Sequence, residues 1–174
     1  KAGRILYDLS KSTSDKKVME RMWQEGGATE EDPQPFLKTP LCRVLSIATV
    51  TRKIVDKKVQ LDLLTLPHKD NNIEKITEKE ILLKFLSAVG KHKPQLVGYN
   101  SVNADIRILV QRGVINGITV PEFATRPNKP WEGADYFAKE SEVNVDLFQM
   151  LTGFGRGGSL NEYAMLSGIP GKMG

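Results

Sequence analysis

The amino-acid sequence predicts an α/β fold, with helices packed on a mixed sheet. Three observations lead there. Residues 41–52 are rich in Val, Ile and Thr, and Lys58–Leu66 alternates apolar with polar, so the two read as paired antiparallel strands. Thr77 with Glu80 forms a capping-box pattern ahead of Ile81, Leu82, Phe85, Leu86 and Val89, which share one helical face. Residues 95–99 form an apolar strand that runs into a polar turn and then a helix over residues 104–112.

Taken in order, residues 4–9 (Arg-Ile-Leu-Tyr-Asp-Leu) read as a short buried strand carrying Asp8 near its end. Residues 11–15 are polar and turn-like, and residues 16–24 suit a short helix. Residues 25–39 are acidic and rich in Gly and Pro, hence a loop. Asp56 and Lys57 form the turn between the two antiparallel strands. Pro94 ends the helix that starts after Thr77. Residues 117–143 are irregular and hold Trp131, Tyr136 and several prolines. Two helices are expected over residues 145–151 and 160–166, split by the glycines of residues 153–158; Ser159 and Glu162 form a second capping box.

The chain has 174 residues, enough for one domain with a real core. Apolar residues make up 40% and charged residues 26%, an ordinary globular composition. No run of 18 apolar residues exists, so no membrane span is expected. Residues 1–4 carry neither a start Met nor an apolar signal region, so the expectation is a trimmed or first-ordered beginning. The single cysteine, Cys42, cannot form an internal disulfide; this excludes a cysteine-built zinc site and suits a cytoplasmic location. The formal charge of +4 is a mild pointer to a polyanionic partner.

Chemistry concentrates on carboxylates at strand ends. The carboxyl end of a strand is where an α/β enzyme places a metal ligand, and Asp8 and Asp105 both occupy such a place in this reading. Carboxylates suit Mg²⁺ or Mn²⁺. The competing reading is that each caps the following helix. Asp146 admits the same two readings, a third ligand or an N-cap, and the cap is the commoner use. Asn100 suits a turn-holding role with a secondary substrate contact. His68 and His92 lack a second His or Cys at ligand spacing and read as surface residues. Arg156 in the glycine loop offers a phosphate contact, against the simpler reading of a connector. Trp131, Tyr136 and Phe137 either stack on bases or pin their loop to the body.

Residues 96–113 resemble the second motif of the DEDD 3′–5′ exonucleases, in a bacterial branch similar to the proofreading domain of B-family DNA polymerases. That motif runs from an Asn through three variable residues and an aromatic to the metal-binding Asp; here these are Asn100, Ser101-Val102-Asn103, Ala104 and Asp105. Residues 40–47, 145–151 and 159–172 also resemble this branch. The resemblance implies a ribonuclease H-like fold with a five-stranded mixed sheet flanked by helices. It implies hydrolysis of single-stranded DNA from its 3′ end by two divalent ions, Mg²⁺ or Mn²⁺. Asp8 would bridge both ions and Asp105 would hold the second, with Leu9 and Ser10 presenting backbone to the terminal nucleotide. The sequence departs from the pattern in three places. Ser10 stands where the first motif has Glu, Ala104 stands where the second has an aromatic, and the final Tyr-or-His/Asp motif has no counterpart. The expectation is therefore one exonuclease-like domain over residues 1–174 without the C-terminal helix that carries the last acidic motif. Two alternatives stay open: a catalytically impaired nucleic-acid-binding relative, and a protein-interaction scaffold that keeps only the fold.

Overall fold

A computed structural model describes residues 2–68, 76–138, 141–153 and 155–171. Two short helices open it, α1 (Ala2–Leu6) and α2 (Asp15–Glu25). Ser14 caps α2 by accepting from the Lys17 N–H at 3.4 Å. The helices meet at Gly3, where a Cβ would stand 2.5 Å from the Met22 sulfur. The strand expected over residues 4–9 is therefore a correction. The chain there is helical through Leu6, then turns, with Leu9 N–H donating back to the Arg4 carbonyl at 2.9 Å. A short apolar run fits a strand or a helix equally, and here the helix buries Gly3 against Val18 and Met22.

Strands β1 (Ile47–Val55) and β2 (Lys58–Leu66) form the expected hairpin, in register from Ile47 opposite Leu66 to Val55 opposite Lys58. Asp56 and Lys57 both take positive φ, 50° and 60°, as a two-residue type I′ turn requires. β1 begins later than residues 41–52 suggested, because Thr39–Leu41 is a 3₁₀ turn.

Helix α3 (Glu78–His92) carries the expected capping box and buries Ile81, Leu82, Leu86 and Val89 along one face. Helix α4 (Asp105–Ile115) and the short α5 (Pro121–Ala124) pack against it. Gly90 permits the α3–α5 contact, since a Cβ there would lie 2.8 Å from the Phe123 backbone nitrogen. The core joins Leu82, Leu86 and Val89 to Leu109, Val120, Phe123 and Tyr136. Tyr136 is 1% exposed, stacks on Phe123 at 5.5 Å and donates its hydroxyl to the Pro94 carbonyl at 2.7 Å. Phe137 meets Phe123 edge-on at 5.3 Å. Both aromatics thus pin the long loop, as one of the two sequence readings had it.

A second sheet pairs β3 (Leu96–Gly98) in parallel with β4 (Asn144–Asp146), with Gly98 opposite Asp146. Helices α6 (Leu147–Thr152) and α7 (Leu160–Leu166) follow. The helix expected over residues 145–151 starts only at Leu147, because the residues before it belong to β4. The chain is a mixed α/β structure, as expected, but the described residues form two two-stranded sheets rather than one of five strands. Ile47 of β1 and Leu96 of β3 both touch the same core, yet no strand hydrogen-bonds one pair to the other among the described residues. The hairpin keeps Val50, Leu61, Leu63 and Leu64 more than half exposed. No helix of the described residues is long and apolar enough to cross a membrane.

Candidate active site at the β3–α4 turn

Parallel strands of an α/β structure present ligands at their carboxyl ends. Here those ends are Gly98 and Asp146, side by side. The chain leaves β3 through Tyr99 and folds back sharply. A Cβ on Gly98 would fall 2.5 Å from the Ser101 Cβ, so only glycine lets the turn lie this close over the strand. Ser101 is buried in consequence. Asn100 sits at φ 57°, a left-handed conformation that asparagine tolerates. Its side chain accepts from the Asn103 amide at 3.1 Å, and its carbonyl accepts from the Ala104 N–H at 2.9 Å. The turn-holding role expected of Asn100 thus falls mostly to its backbone.

Helix α4 starts at Asp105, and Ala104 before it offers no side-chain cap. The Asp105 carboxylate is exposed and makes no hydrogen bond or ion pair among the described residues. It stands in the first turn of an 11-residue helix, where the positive end of the helix dipole favours an anion. An exposed carboxylate in this setting is an oxygen donor suited to a hard cation.

Asp146 behaves differently. It is 4% exposed, and its carboxylate is filled by backbone donors. Oδ1 accepts from Phe148 N–H at 3.0 Å, which caps α6, and from Asn100 N–H at 2.7 Å; Oδ2 accepts from Val102 N–H at 3.1 Å. The N-cap reading holds, and the residue also grips the turn across the sheet, which the sequence did not signal.

Aromatic rings close one side. Tyr99 meets Phe148 edge-on at 5.5 Å and lies 6.1 Å from Tyr163 of α7, while its hydroxyl donates to the Gly158 carbonyl. Burial raises the Tyr99 pKa above its usual 10, helped by Tyr163 and the carboxylates of Glu162 and Asp146. The glycine loop after α6 is therefore tied to the end of β3. Of the other candidates, Trp131 is 79% exposed with the Lys129 ammonium 5.5 Å from its ring centre. Cys42 is half-buried, its thiol directed at the Leu37 carbonyl.

Asp8 has a different local setting from the strand end expected of it. It follows a helix rather than a strand, is exposed, and takes φ 49°. Leu9 is half-buried; Ser10 shares a 2.8 Å hydrogen bond with Ser12. Among the described residues, no group of three or more His, Cys, Asp or Glu side chains is gathered to hold a metal ion. Asp105 and Asp8 each offer an exposed carboxylate of the kind that suits such an ion.

The end of α4 away from Asp105 is fixed by a network that sequence reasoning missed. Arg112 donates to both oxygens of Glu78, Nε to Oε1 at 2.8 Å and Nη2 to Oε2 at 2.6 Å, and Nη1 donates to the Pro40 carbonyl at 2.6 Å. Glu78 also accepts from Val44 N–H at 2.8 Å and Asn116 Nδ2 at 3.1 Å. Burial alone would raise the Glu78 pKa, but these donors and the guanidinium charge outweigh it and lower the carboxyl to about 2. The partners lie 34 residues apart in sequence, so no local pattern announces them.

No curated protein and no solved structure matches the chain significantly. A family model described as a predicted 3′–5′ exonuclease related to the exonuclease domain of PolB matches residues 34–174. The match contains β3, the turn, Asp105 and Asp146, and leaves Asp8, Leu9 and Ser10 outside it. The chain therefore belongs to the family of predicted 3′–5′ exonucleases related to the PolB exonuclease domain.

Proposed function

We propose that this protein is a metal-dependent 3′–5′ exonuclease that shortens single-stranded DNA ends and releases nucleoside 5′-monophosphates. The observation that carries the reading is the setting of Asp105. Its exposed carboxylate, unpaired among the described residues, stands in the first turn of α4, just after the turn that leaves parallel strand β3, inside the segment matched to an exonuclease family. In this reading Asp105 is a metal ligand. Divalent ions bound there would supply an activated water and neutralise charge on the scissile phosphate. The chain's own contribution is to hold Asp105 in place, through the turn at one end of α4 and the Glu78–Arg112 network at the other. Asn100 beside it contributes substrate contact. Asp8 enters as the second ligand and Leu9 and Ser10 as backbone contacts to the terminal nucleotide; because these three lie outside the matched segment, Asp8→Ala is assayed separately from Asp105→Ala. A cytoplasmic location accompanies the proposal.

A second reading, a nucleic-acid-binding relative with impaired cleavage, is favoured by Ser10 and by the lack of a three-residue ligand cluster among the described residues. A gel assay of the full polypeptide with Mn²⁺ separates the two. The substrates are 5′-labelled single-stranded DNA and RNA, with free or blocked 3′ ends. The exonuclease reading expects stepwise shortening of free-ended DNA only. Uncut DNA bound in a salt-sensitive manner would overturn it in favour of the binding relative. Neither cutting nor binding would leave the interaction scaffold.

A further inference from the structure

Asp146 comes 41 positions after Asp105, yet hydrogen bonds connect it to the turn that leads into Asp105. The Asp146 carboxylate holds the N–H groups of Asn100 and Val102. The Asn100 carbonyl in turn accepts from Ala104 N–H at 2.9 Å and from Asn103 N–H at 3.2 Å. The Ser101 carbonyl accepts from Ile106 N–H at 2.9 Å, and the Ala104 carbonyl from Ile108 N–H at 2.8 Å. Asp105 thus lies between two backbone bonds whose anchors, residues 100 and 101, are fixed from outside the turn. Asp146 holds one side, and the close contact of Ser101 with Gly98 holds the other.

From this chain of contacts we infer that Asp146 is a positioning residue for Asp105, binding β4 and the start of α6 to the turn that presents it. The inference rests on the proposed exonuclease reading for the purpose of that presentation, and on the hydrogen bonds alone for the grip itself. The chemistry selects a carboxylate. Three N–H donors converge on two oxygens, and an acceptor-only group is the one side chain that satisfies all three. Asparagine would keep the Oδ1 bonds to Asn100 and Phe148 but turn an N–H₂ donor toward Val102 N–H. Alanine would release all three.

The test reads amide exchange and Mn²⁺ binding in the full polypeptide. In Asp146→Ala, the Asn100 and Val102 amides are expected to exchange about 10- to 100-fold faster relative to the core of α3, as befits lost charge-assisted bonds. In Asp146→Asn, Val102 speeds up while Asn100 stays protected. Leu82→Ala, a core truncation in α3, lowers stability but does not speed the Asn100 and Val102 amides relative to α3. Mn²⁺ alone, followed by its electron paramagnetic resonance signal, is expected to bind about 10- to 100-fold more weakly to Asp146→Ala, as when a supporting contact of a metal ligand is lost. Unchanged exchange at Asn100 and Val102 overturns the inference, as does undiminished Mn²⁺ binding in Asp146→Ala when the wild type binds. A wild type that binds no Mn²⁺ but shows the exchange pattern overturns the metal reading and supports the grip.

Discussion

Replacing Glu78 by glutamine strikes the network that holds α4 to α3 and to the segment before β1. The carboxylate is 7% exposed and accepts four hydrogen bonds, two of them from Arg112. Its pKa falls from the ordinary 4.5 to about 2 on folding. At about 1.4 kcal/mol for each tenfold step, that difference is worth about 3 kcal/mol at neutral pH. Because the folded value lies below the unfolded one, the contribution is complete above pH 4.5 and is lost as pH falls toward 2. Roughly 2 kcal/mol of it is gone by about pH 3. Glu78→Gln removes the charge and faces an amide donor toward Arg112, leaving a buried guanidinium without its counter-ion. A cost of about 3–5 kcal/mol at pH 7 is expected. Urea unfolding of wild type and variant at pH 7 and pH 3 measures both quantities. The stability gap between them should narrow by about 2 kcal/mol at the lower pH, because only the wild type carries the titrating group. A gap that is equal at the two pH values would refute the assignment of the lowered pKa to Glu78.

Gly98→Ala places a methyl group 2.5 Å from the Ser101 Cβ, so the turn must move; a loss of about 1–3 kcal/mol by urea unfolding is expected, with weaker Mn²⁺ binding. Tyr136→Phe removes the hydroxyl that donates to Pro94 and should cost about 1 kcal/mol in the same assay, with the Phe123 stack intact. Lys57→Gly relieves a positive φ in the hairpin turn and should raise stability by about 0.5–1 kcal/mol; a loss would mean the turn is not type I′.

What the sequence disclosed was local. The hairpin was legible because alternation and the Asp56-Lys57 spacing act within twenty residues. The Thr77/Glu80 and Ser159/Glu162 capping boxes marked helix starts because cap and partner are three residues apart. The turn that delivers Asp105 could be read for the same reason: strand, bend and helix follow one another directly. The misses are contacts between distant segments, or runs too short to decide. Residues 4–9 carry an apolar pattern that no periodicity assigns, and docking of α1 onto α2 decided for helix. β4 spans three residues and shows itself only by pairing with β3, which is 48 positions away. Glu78–Arg112 and the Asp146 grip join residues 34 and 44–46 apart. The sheet's strand count depends on such pairings as well, and the expectation of five strands came from resemblance rather than from the strand patterns.

Asp105 offers an exposed carboxylate, without a partner among the described residues, in a matched family segment, so cleavage should depend on that one group. Wild type and Asp105→Ala, as full polypeptides, are compared on 5′-labelled single-stranded DNA with Mn²⁺, with and without a chelator. Nucleotide-by-nucleotide shortening by the wild type is expected, lost on chelation and lost in Asp105→Ala. Stepwise shortening that persists in Asp105→Ala would contradict that dependence.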